Sequence, residues 1–312
     1  MISIVSPVFN EEENLVELTE RISNVFKKID MEYEIILVEN GSSDKSLEKI
    51  KAIRAQDQHI KFIKLSRNFG HQGGLFAGLC HAKGDAVITL DGDLQHPPEL
   101  IEEMVNLWKS GYEVIFTKKK DKKYELSLRF QLSRIFYKII SLISDLNLSF
   151  GQSDFRLLDR KAVRIICSLE ERNKFLRGLV EWVGFQQIGI EYEVEQRRFG
   201  ESKFSLKNYV SFALDGIFSF SQAPLKVFLG FGLLIATACL LYAGFYFIFG
   251  ILYLLYPKTF SLPPGWATIV VSILFLSSVQ LIGIGILGEY IGRIFVQTKK
   301  RPEFIIAEKE LD

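Results

Sequence analysis

Two uncharged runs near the C-terminal end of the sequence constrain the fold more than any other feature. No Asp, Glu, Lys or Arg occurs in residues 227–256 or in residues 265–288. Each run is longer than the roughly 20 apolar residues that cross a bilayer as a helix, and the linker between them carries one charge, Lys258. The pattern predicts two transmembrane helices, at about 227–254 and 266–292, rather than a hairpin buried in a soluble core.

Basic residues flank this predicted hairpin on both sides. They are Lys203, Lys207 and Lys226 before the first run, and Arg293, Lys299, Lys300 and Arg301 after the second. Because cytoplasmic flanks of membrane helices carry an excess of Lys and Arg, this bias predicts a multi-pass protein of the inner or plasma membrane. Both termini and the whole N-terminal region would face the cytoplasm. The opening MISIVSPVFN lacks the basic lead and cleavage site of a signal peptide.

Charge and cysteine content exclude some classes of protein. The formal net charge is +1 over 312 residues, so no general basic field indicates a nucleic-acid partner. The three cysteines, Cys80, Cys167 and Cys239, form no CxxC pair. The sequence therefore predicts no disulfide framework, as expected in a reducing compartment.

The N-terminal region alternates between strand-like and helix-like segments. Strand-like runs lie at residues 2–6, 33–40, 60–65, 85–93 and 112–117, with amphipathic helical stretches between them. This alternation predicts βαβ units, an α/β fold and a mostly parallel sheet. The turn after the first strand, SPVFNEEE, contains no glycine, which disfavours a dinucleotide-binding Rossmann site, and no Walker A sequence occurs.

Polar residues cluster where these strands end. They are Pro7, Asn10 and Glu11 after the first strand; Glu39, Asn40 and Gly41 after the second; Ser66, Arg67 and Asn68 after the third; and Asp91 and Asp93 after the fourth. Ligands of such sheets bind beyond the C-terminal ends of the strands. Two acids one residue apart can hold Mg²⁺ or Mn²⁺ together with substrate phosphates, or the first acid can accept a hydrogen bond from a sugar hydroxyl. The pattern predicts a ligand site at this edge.

Seven motifs in order resemble one family. They are SPVFNEEEN, VENGSSD, LSRNFGHQGGLFAGL, LDGDLQHPPE, SDFRLLDR, FLRGLVEWVGF and RRFGESKFSL. Together they resemble the polyprenyl-phosphate glycosyltransferases, the dolichyl-phosphate mannose synthase-like branch of the family 2 glycosyltransferases, and within it the bactoprenol glucosyltransferases. The resemblance implies a GT-A fold over residues 1–203. It also implies an inverting transfer of a sugar from a nucleotide diphosphate to a polyprenyl phosphate at the cytoplasmic membrane face.

The resemblance also implies roles for individual residues. Pro7, Asn10, Glu11, Glu39, Arg67, Asp91 and Gln95 would bind the donor nucleotide, and Asp91 and Asp93 would hold Mg²⁺ or Mn²⁺. Asp93, Asp154 and Arg197 would be catalytic. Lys118, Arg129, Ser133, Arg156 and Lys203 would contact the acceptor phosphate. The sequence departs from relatives at Glu39, Asn40 and His96, where aspartate is common. His96 could be a metal ligand, but an exposed loop position is the commoner case and is expected here; His59, His71 and His81 are expected to be structural or solvated.

The acceptor's chemistry limits what the site must do. A phosphate monoester has a second pKa near 6 and is already a nucleophile at pH 7, so no strong general base is required. Asp154 is expected to orient or polarise, and Arg197 to stabilise the departing diphosphate.

An amphipathic segment at about 124–146 predicts a membrane-interface helix, although packing on the sheet explains it almost equally well. Residues 204–226 predict a second interfacial helix, and 295–312 a cytoplasmic tail.

Three alternatives remain beside this interpretation. A processive polysaccharide synthase is disfavoured because the chain has too few membrane helices and no QxxRW motif. A GDP-mannose-using polyprenyl-phosphate mannosyltransferase would fit the same motifs, although UDP-glucose is the favoured donor. A non-catalytic membrane scaffold with a degenerate nucleotide pocket would explain the departures at Glu39, Asn40 and His96. The oligomeric state cannot be derived from the sequence; a homo-oligomer is compatible with the small residues of the hairpin.

Overall fold

The structure is a computed structural model that describes residues 1–119, 152–171, 175–193, 221–255 and 265–312. The chain divides into one unit of residues 1–220 with 300–312, and a second unit of residues 221–299. The predicted interface helix at 124–146 and most of the predicted helix at 204–226 lie outside the described residues.

The first unit is built on one mixed, eight-stranded sheet. Its strands are β1 (Ile2–Val8), β2 (Tyr33–Glu39), β3 (Ile60–Leu65), β4 (Ala86–Thr89), β5 (Val114–Lys119), β6 (Gln152–Asp159), β7 (Gln187–Tyr192) and β8 (Ile306–Glu310), in the order β7-β5-β6-β4-β1-β2-β3-β8. The four central strands β4, β1, β2 and β3 run parallel. The predicted alternation of strands and helices therefore produces the predicted parallel centre.

Helices cover both faces of this sheet. They are α1 (Leu15–Ile29), α2 (Ser46–Gln56), α3 (Gly70–His81), α4 (Leu100–Lys109), α5 (Arg160–Ser168) and α6 (Leu176–Trp182). Because successive strand residues point to opposite faces, Ile4 of β1 packs in one hydrophobic core and Val5 in the other. Burial on both faces explains the uninterrupted apolar runs IILV of β2 and AVI of β4.

Strand β6 reverses direction within the sheet. It pairs antiparallel with β4 and with β5, so that Arg156 lies opposite Thr89. The start of β6 therefore reaches the same edge of the sheet as the end of β4. This reversal brings Asp154 to the edge where Asp91 and Asp93 lie, and the Thr89 hydroxyl fixes it by donating to the Asp154 carbonyl oxygen at 2.5 Å.

The structure contradicts the prediction that no cysteines pair. Cys80 at the end of α3 and Cys167 in α5 form a disulfide, although 87 residues separate them in sequence, and Cys239 alone is a free cysteine. Packing of α5 beside α3 brings the two side chains together, with 5.6 Å between their Cα atoms. Sequence spacing could not indicate this pair because the contact is tertiary.

The segment assigned to a C-terminal tail contributes the last strand. Within it, β8 pairs antiparallel with β3 and covers that edge of the sheet. Just before the strand, the Phe304 ring packs edge-on against Phe76 and His81 of α3. An unpaired edge strand invites association with other chains, so this segment completes the fold of the first unit.

We expect removal of residues 302–312 to lower the free energy of unfolding of the first unit by about 3 kcal/mol, since it exposes the β3 edge and removes the Phe304 packing. Urea unfolding in detergent measures this loss. The control is the double variant Glu308→Gln with Glu310→Gln, which removes exposed ion pairs to Lys51 and Arg54 and should change the free energy by less than about 1 kcal/mol. Equal losses in the two variants would contradict the role of strand pairing.

The second unit contains two long helices, α7 (Ala223–Leu255) and α8 (Trp266–Thr298), both long and apolar enough to cross a membrane. Each has 33 residues and a length of about 50 Å, more than the roughly 30 Å of a bilayer core. Both begin or end a few residues beyond the predicted bounds. Large apolar side chains on them are exposed, for example Leu240 and Leu254 at 74% and 82%. Lipid contact would remove this surface from water.

Candidate active site

The loop after β4 gathers three side chains that could hold a metal ion. One ligand atom from each of Asp91, Asp93 and His96 lies within 4.8 Å of the others. Leu94 turns the loop with a φ of 59°, a left-handed conformation that is unfavourable for a leucine. The Gln95 backbone N–H donates to Asp93 Oδ1 at 3.2 Å. The loop is therefore held in a tight turn that aims both acids toward the same space.

The chemistry of these side chains fits the divalent ion that the sequence predicts. Carboxylate oxygens are the ligands that Mg²⁺ and Mn²⁺ prefer, and an imidazole is also acceptable to Mn²⁺. Asp91 and Asp93 are both partly exposed, which leaves room for substrate phosphates as further ligands. In the described residues this is the one group of three or more possible metal-binding side chains.

His96 is buried rather than exposed, which corrects the sequence prediction. It is 2% exposed, its Nε2 lies 2.8 Å from Ser153 Oγ, and its Nδ1 lies 3.5 Å from Asp91 Oδ2. The Ser153 hydroxyl already accepts from the Phe155 N–H at 3.0 Å. The imidazole therefore connects the acid loop to the start of β6.

His71 belongs to the site, although the sequence indicated a structural or solvated residue. Its Nε2 lies 3.3 Å from Asp91 Oδ1 and 3.6 Å from Asp154 Oδ2. It begins α3, which lies close to the sheet because Gly78 has no side chain; a Cβ there would be 2.2 Å from a Val5 methyl. Burial alone would lower the pKa of His71, but the carboxylates of Asp91 and Asp154 raise it to about 9.

This raised pKa predicts how stability depends on pH in metal-free buffer. A raised pKa stabilises the fold below the ordinary value of 6.5, and the contribution disappears as pH rises through about 9. The change should be smaller than the roughly 3 kcal/mol of a fully buried group, since the His71 side chain is 37% exposed. Urea unfolding in EDTA from pH 6 to pH 10 should show this decline in the wild type. His71→Gln should show a flatter profile; identical profiles would refute the pairing.

Asp154 is the most strongly held carboxylate of the site. It is 8% exposed, and Arg177 of α6 donates to both of its oxygens, from Nε to Oδ1 at 2.9 Å and from Nη2 to Oδ2 at 2.8 Å. Burial favours the neutral acid, but Arg177 and His71 together hold the pKa of Asp154 well below its ordinary range. The side chain is therefore ionised at neutral pH and is a weak base.

Arg156, which the resemblance assigned to the acceptor phosphate, is buried beside Asp154. It is 3% exposed, and its Nη2 donates to the Ser153 carbonyl oxygen at 2.9 Å and lies 3.6 Å from Asp154 Oδ1. Its strand position points the guanidinium into the core beneath Asp154. From there it can support the Asp154 carboxylate.

The loops after β1 and β2 brace each other. The Asn10 N–H donates to Ser42 Oγ at 3.1 Å, and Asn10 Oδ1 accepts from the Ser43 N–H at 2.8 Å. The Glu11 N–H donates to Ser46 Oγ at 3.1 Å. Asn10 and Glu11, which the resemblance assigned to donor binding, thus hold the loops after β1 and β2 together.

The departures at Glu39 and Asn40 have structural explanations. Glu39 is 2% exposed and accepts from the Ser42 N–H, which closes the loop after β2. Asn40 accepts from the Phe69 N–H at 2.9 Å and donates to the Gly70 carbonyl oxygen at 2.9 Å. An ionised aspartate could not make the second bond because it has no donor. Asn40 therefore holds the start of α3, which presents His71.

At Gly41, the loop after β2 lies very close to the loop after β3. Its φ is +74°, and a Cβ there would lie 2.6 Å from the Asn68 backbone N. Gly41→Ala should lower the free energy of unfolding by about 3 kcal/mol through strain and collision. Gly111→Ala, also at positive φ but with nothing within 4 Å, should lose about 1 kcal/mol. Equal losses in thermal unfolding would exclude the collision.

The remaining predicted residues divide into three groups. Pro7 is buried in β1, and Arg67 lies 4.0 Å over the Phe69 ring at the loop after β3. Lys118 lies near the end of β5, opposite Gln152 at the start of β6, on the same edge as Asp154. Arg129, Ser133, Arg197 and Lys203 lie outside the described residues.

Sequence reasoning missed His71 and Arg177. His71 follows the loop after β3 directly, so the rule about strand ends would have included it if applied three residues further. Arg177 occurs in the motif FLRGLVEWVGF, which the resemblance used but to which it gave no role. Its pairing with Asp154, 23 residues earlier, becomes visible only once α6 is placed.

The chain belongs to glycosyl transferase family 2, whose members match it over residues 3–166. The mixed sheet with its helices is the predicted GT-A-type fold, and the chain is a glycosyltransferase. A bactoprenol glucosyl transferase of Shigella phage SfV is 40% identical over 310 residues, covering 99% of both chains. An uncharacterized glycosyltransferase of Synechocystis is 40% identical over 310 residues, covering 98% of this chain and 95% of its own.

Solved structures give more distant likenesses. Mannosyl-3-phosphoglycerate synthase from Rubrobacter xylanophilus has a TM-score of 0.49 at 14% identity, covering 69% of this chain and 71% of its own. Glucosyl-3-phosphoglycerate synthase from Mycobacterium tuberculosis, in complex with Mn²⁺, UDP and glucosyl-3-phosphoglycerate, has a TM-score of 0.46 at 17% identity, covering 69% and 76%.

Proposed function

We propose that this glycosyltransferase moves glucose from UDP-glucose to undecaprenyl phosphate or a similar polyprenyl phosphate, with inversion at the anomeric carbon and with Mg²⁺ or Mn²⁺. The observation that carries the proposal is the meeting of Asp91 and Asp154 at His71, with separations of 3.3 and 3.6 Å from its Nε2. One edge of the sheet thus holds the acids for the donor and the acid assigned to the sugar and acceptor.

The donor side of the site is the acid loop with the braced loops of β1 and β2. Asp91 and Asp93 would hold the ion, which when bound neutralises charge on the departing diphosphate. Pro7, Asn10, Glu11, Glu39, Arg67 and Gln95 would line the nucleotide pocket. The near-full-length likeness to bactoprenol glucosyl transferases supports glucose as the sugar; GDP-mannose is the competing donor.

The acceptor side needs positive charge and orientation more than a base. The lipid phosphate is largely dianionic at pH 7, and Asp154 is ionised and doubly bonded to Arg177. Asp154 therefore orients a hydroxyl instead of removing a proton. Lys118, Arg129, Ser133 and Lys203 would bind the acceptor phosphate, and Arg197 would stabilise the departing diphosphate. Arg156 would act from beneath Asp154.

The apolar helices support a membrane location. We assign residues 1–203 to a cytoplasmic catalytic domain, with an interfacial helix at 124–146 and a second at 204–226. The two helices would anchor the enzyme in the inner or plasma membrane with both termini cytoplasmic. A lipid-linked phosphate lies at the surface of the bilayer, so an anchored enzyme meets it without the acceptor leaving the membrane.

Nucleotide binding tests the donor assignment. In calorimetry with Mn²⁺ present, we expect UDP and UDP-glucose to bind more tightly than GDP and GDP-mannose, and EDTA to abolish binding. Proton NMR of the lipid product should show β-linked glucose, because one direct displacement inverts the α-anomer of the donor. Tighter binding of GDP-mannose than of UDP-glucose would identify GDP-mannose as the donor. An α-linked product would refute inversion, and the absence of nucleotide binding would favour a non-catalytic scaffold.

A further inference from the structure

Arg177 and Asp154 form a bidentate ion pair in the described site. Two parallel N–H···O bonds of 2.9 and 2.8 Å join the guanidinium fork to both carboxylate oxygens. A planar guanidinium makes this bidentate contact, which a lysine ammonium cannot. The pair lies where Asp154 is 9% exposed and Arg177 is 22% exposed at the side chain. Such a contact fixes the plane of the carboxylate.

Arg177 is itself placed by the packing of α6. Leu176 and Val180 on either side of it are buried with Leu75 and Leu79 of α3 in one hydrophobic core. The Leu176 N–H donates to the Gln72 side chain of α3 at 3.3 Å. Apolar packing therefore anchors the helix, and the arginine on it reaches across to β6.

Two further cationic side chains lie near the Asp154 carboxylate. The guanidinium of Arg156 lies 3.6 Å from Oδ1 inside the core, and His71 lies 3.6 Å from Oδ2 on the side of Asp91. A carboxylate can accept about four hydrogen bonds, and Arg177 donates two of them. Even with His71 as a third donor, acceptor capacity remains for one hydroxyl group of a substrate.

We propose that Arg177 is a positioning residue that acts through Asp154. It fixes the carboxylate so that Asp154 accepts a hydrogen bond from a hydroxyl of the transferred sugar, and His71 connects this acid to the donor acid Asp91. The inference rests on the proposed sugar transfer and deepens it. Arg177 therefore contributes to the rate of transfer only while Asp154 is present.

A double-mutant cycle on the full-length protein tests this dependence. The variants are Arg177→Met, Arg177→Lys, Asp154→Asn and Arg177→Met with Asp154→Asn, assayed for glucose transfer from UDP-glucose to undecaprenyl phosphate. We expect Arg177→Met to lower kcat by roughly 10- to 100-fold, the range for residues that orient a functional group. Arg177→Lys should recover little of it, because one ammonium cannot replace the fork. The double variant should be no slower than Asp154→Asn.

Two further measurements separate positioning from a structural role. The Kd for UDP with Mn²⁺ should stay within about threefold of the wild type in every variant, because neither Arg177 nor Asp154 is proposed to bind the nucleotide. A tenfold change would correspond to about 1.4 kcal/mol. Arg164→Met, which removes an exposed arginine from α5, should leave kcat unchanged.

Losses that multiply in the double variant, or a matching rise in Kd, would overturn the positioning role while wild-type transfer persists. Full recovery of kcat in Arg177→Lys would overturn it too, because charge alone would then suffice. Absence of transfer by the wild type, with UDP bound, would instead overturn the proposed function and the positioning role with it. The two failures are therefore distinguishable.

Discussion

Asp93→Asn should reduce sugar transfer by about 1,000-fold or more. The substitution removes a negative oxygen ligand from a group in which Asp91, Asp93 and His96 offer atoms within 4.8 Å of one another. Charge stabilisation by a bound divalent ion is worth several kcal/mol, and each 1.4 kcal/mol corresponds to a tenfold change in rate. Initial rates of lipid-linked sugar formation, with UDP affinity in the presence of Mn²⁺, measure the effect.

Glu99→Gln is the matched control for this variant. Glu99 belongs to the same sequence motif, but its carboxylate pairs with Arg21 of α1 at 2.7 Å. It is not part of the Asp91, Asp93 and His96 group, so the substitution should leave turnover close to normal. Near-normal turnover of Asp93→Asn, or equal losses in the two variants, would refute the role of the acid pair.

Asp154→Asn should lower kcat by about 100-fold or more while leaving the affinity for UDP nearly unchanged. The neutral amide has one oxygen, so it cannot accept both bonds of the Arg177 fork. It also leaves a half-buried guanidinium without its counter-ion. Single-turnover rates at saturating donor measure the loss at the chemical step.

The pH dependence of transfer tests whether Asp154 stays ionised from pH 5 to pH 8. A depressed pKa means that Asp154 is ionised above its ordinary value of 3.8, so its contribution is constant from pH 5 to pH 8. The ratio of wild-type to Asp154→Asn rates should therefore be flat across this range. A ratio that rises tenfold per pH unit would mean that Asp154 titrates within this range, which would contradict its depressed pKa. Asp159→Asn, at the far end of β6, should lower the Tm and leave kcat unchanged, because its one amide oxygen can replace only one of the two acceptors for Lys161 and Trp108.

The position of the site could be predicted because the strand signal is local. Apolar runs identify the strands, and parallel strands bring their C-terminal ends to one edge. Asp91, Asp93, Asn10 and Glu39 follow such ends and lie there. Asp154 required the resemblance, since it lies near the start of a strand and joins the edge only because β6 runs antiparallel to β4.

Other features depend on tertiary packing that no local pattern encodes. Arg177 reaches Asp154 from a helix that follows it in sequence, and Cys80 meets Cys167 because α5 packs beside α3. His96 was expected at the surface because histidines in loops usually are exposed; Phe155 and Tyr192 enclose its ring instead. In each case, the surroundings of the side chain depend on a residue that is distant in sequence.

Strand β8 in the C-terminal segment could not be predicted from the sequence. FIIAEKE follows a long apolar helix and ends in charged residues, which favours a solvated tail. Its alternation is too short to stand out, and its partner, β3, lies more than 200 residues earlier in sequence. An edge position tolerates charge on a strand, so composition could not distinguish the strand from a tail.

The central claim is that the chain transfers a sugar from a nucleotide to a lipid phosphate. The most direct test incubates the purified protein in detergent with undecaprenyl phosphate, Mn²⁺ and UDP-glucose, and detects the lipid by mass spectrometry. We predict a product heavier than the acceptor by one hexose residue, lost on addition of EDTA and absent with Asp93→Asn. Binding of UDP-glucose without any hexose-modified lipid, under conditions in which the protein is folded, would contradict the account.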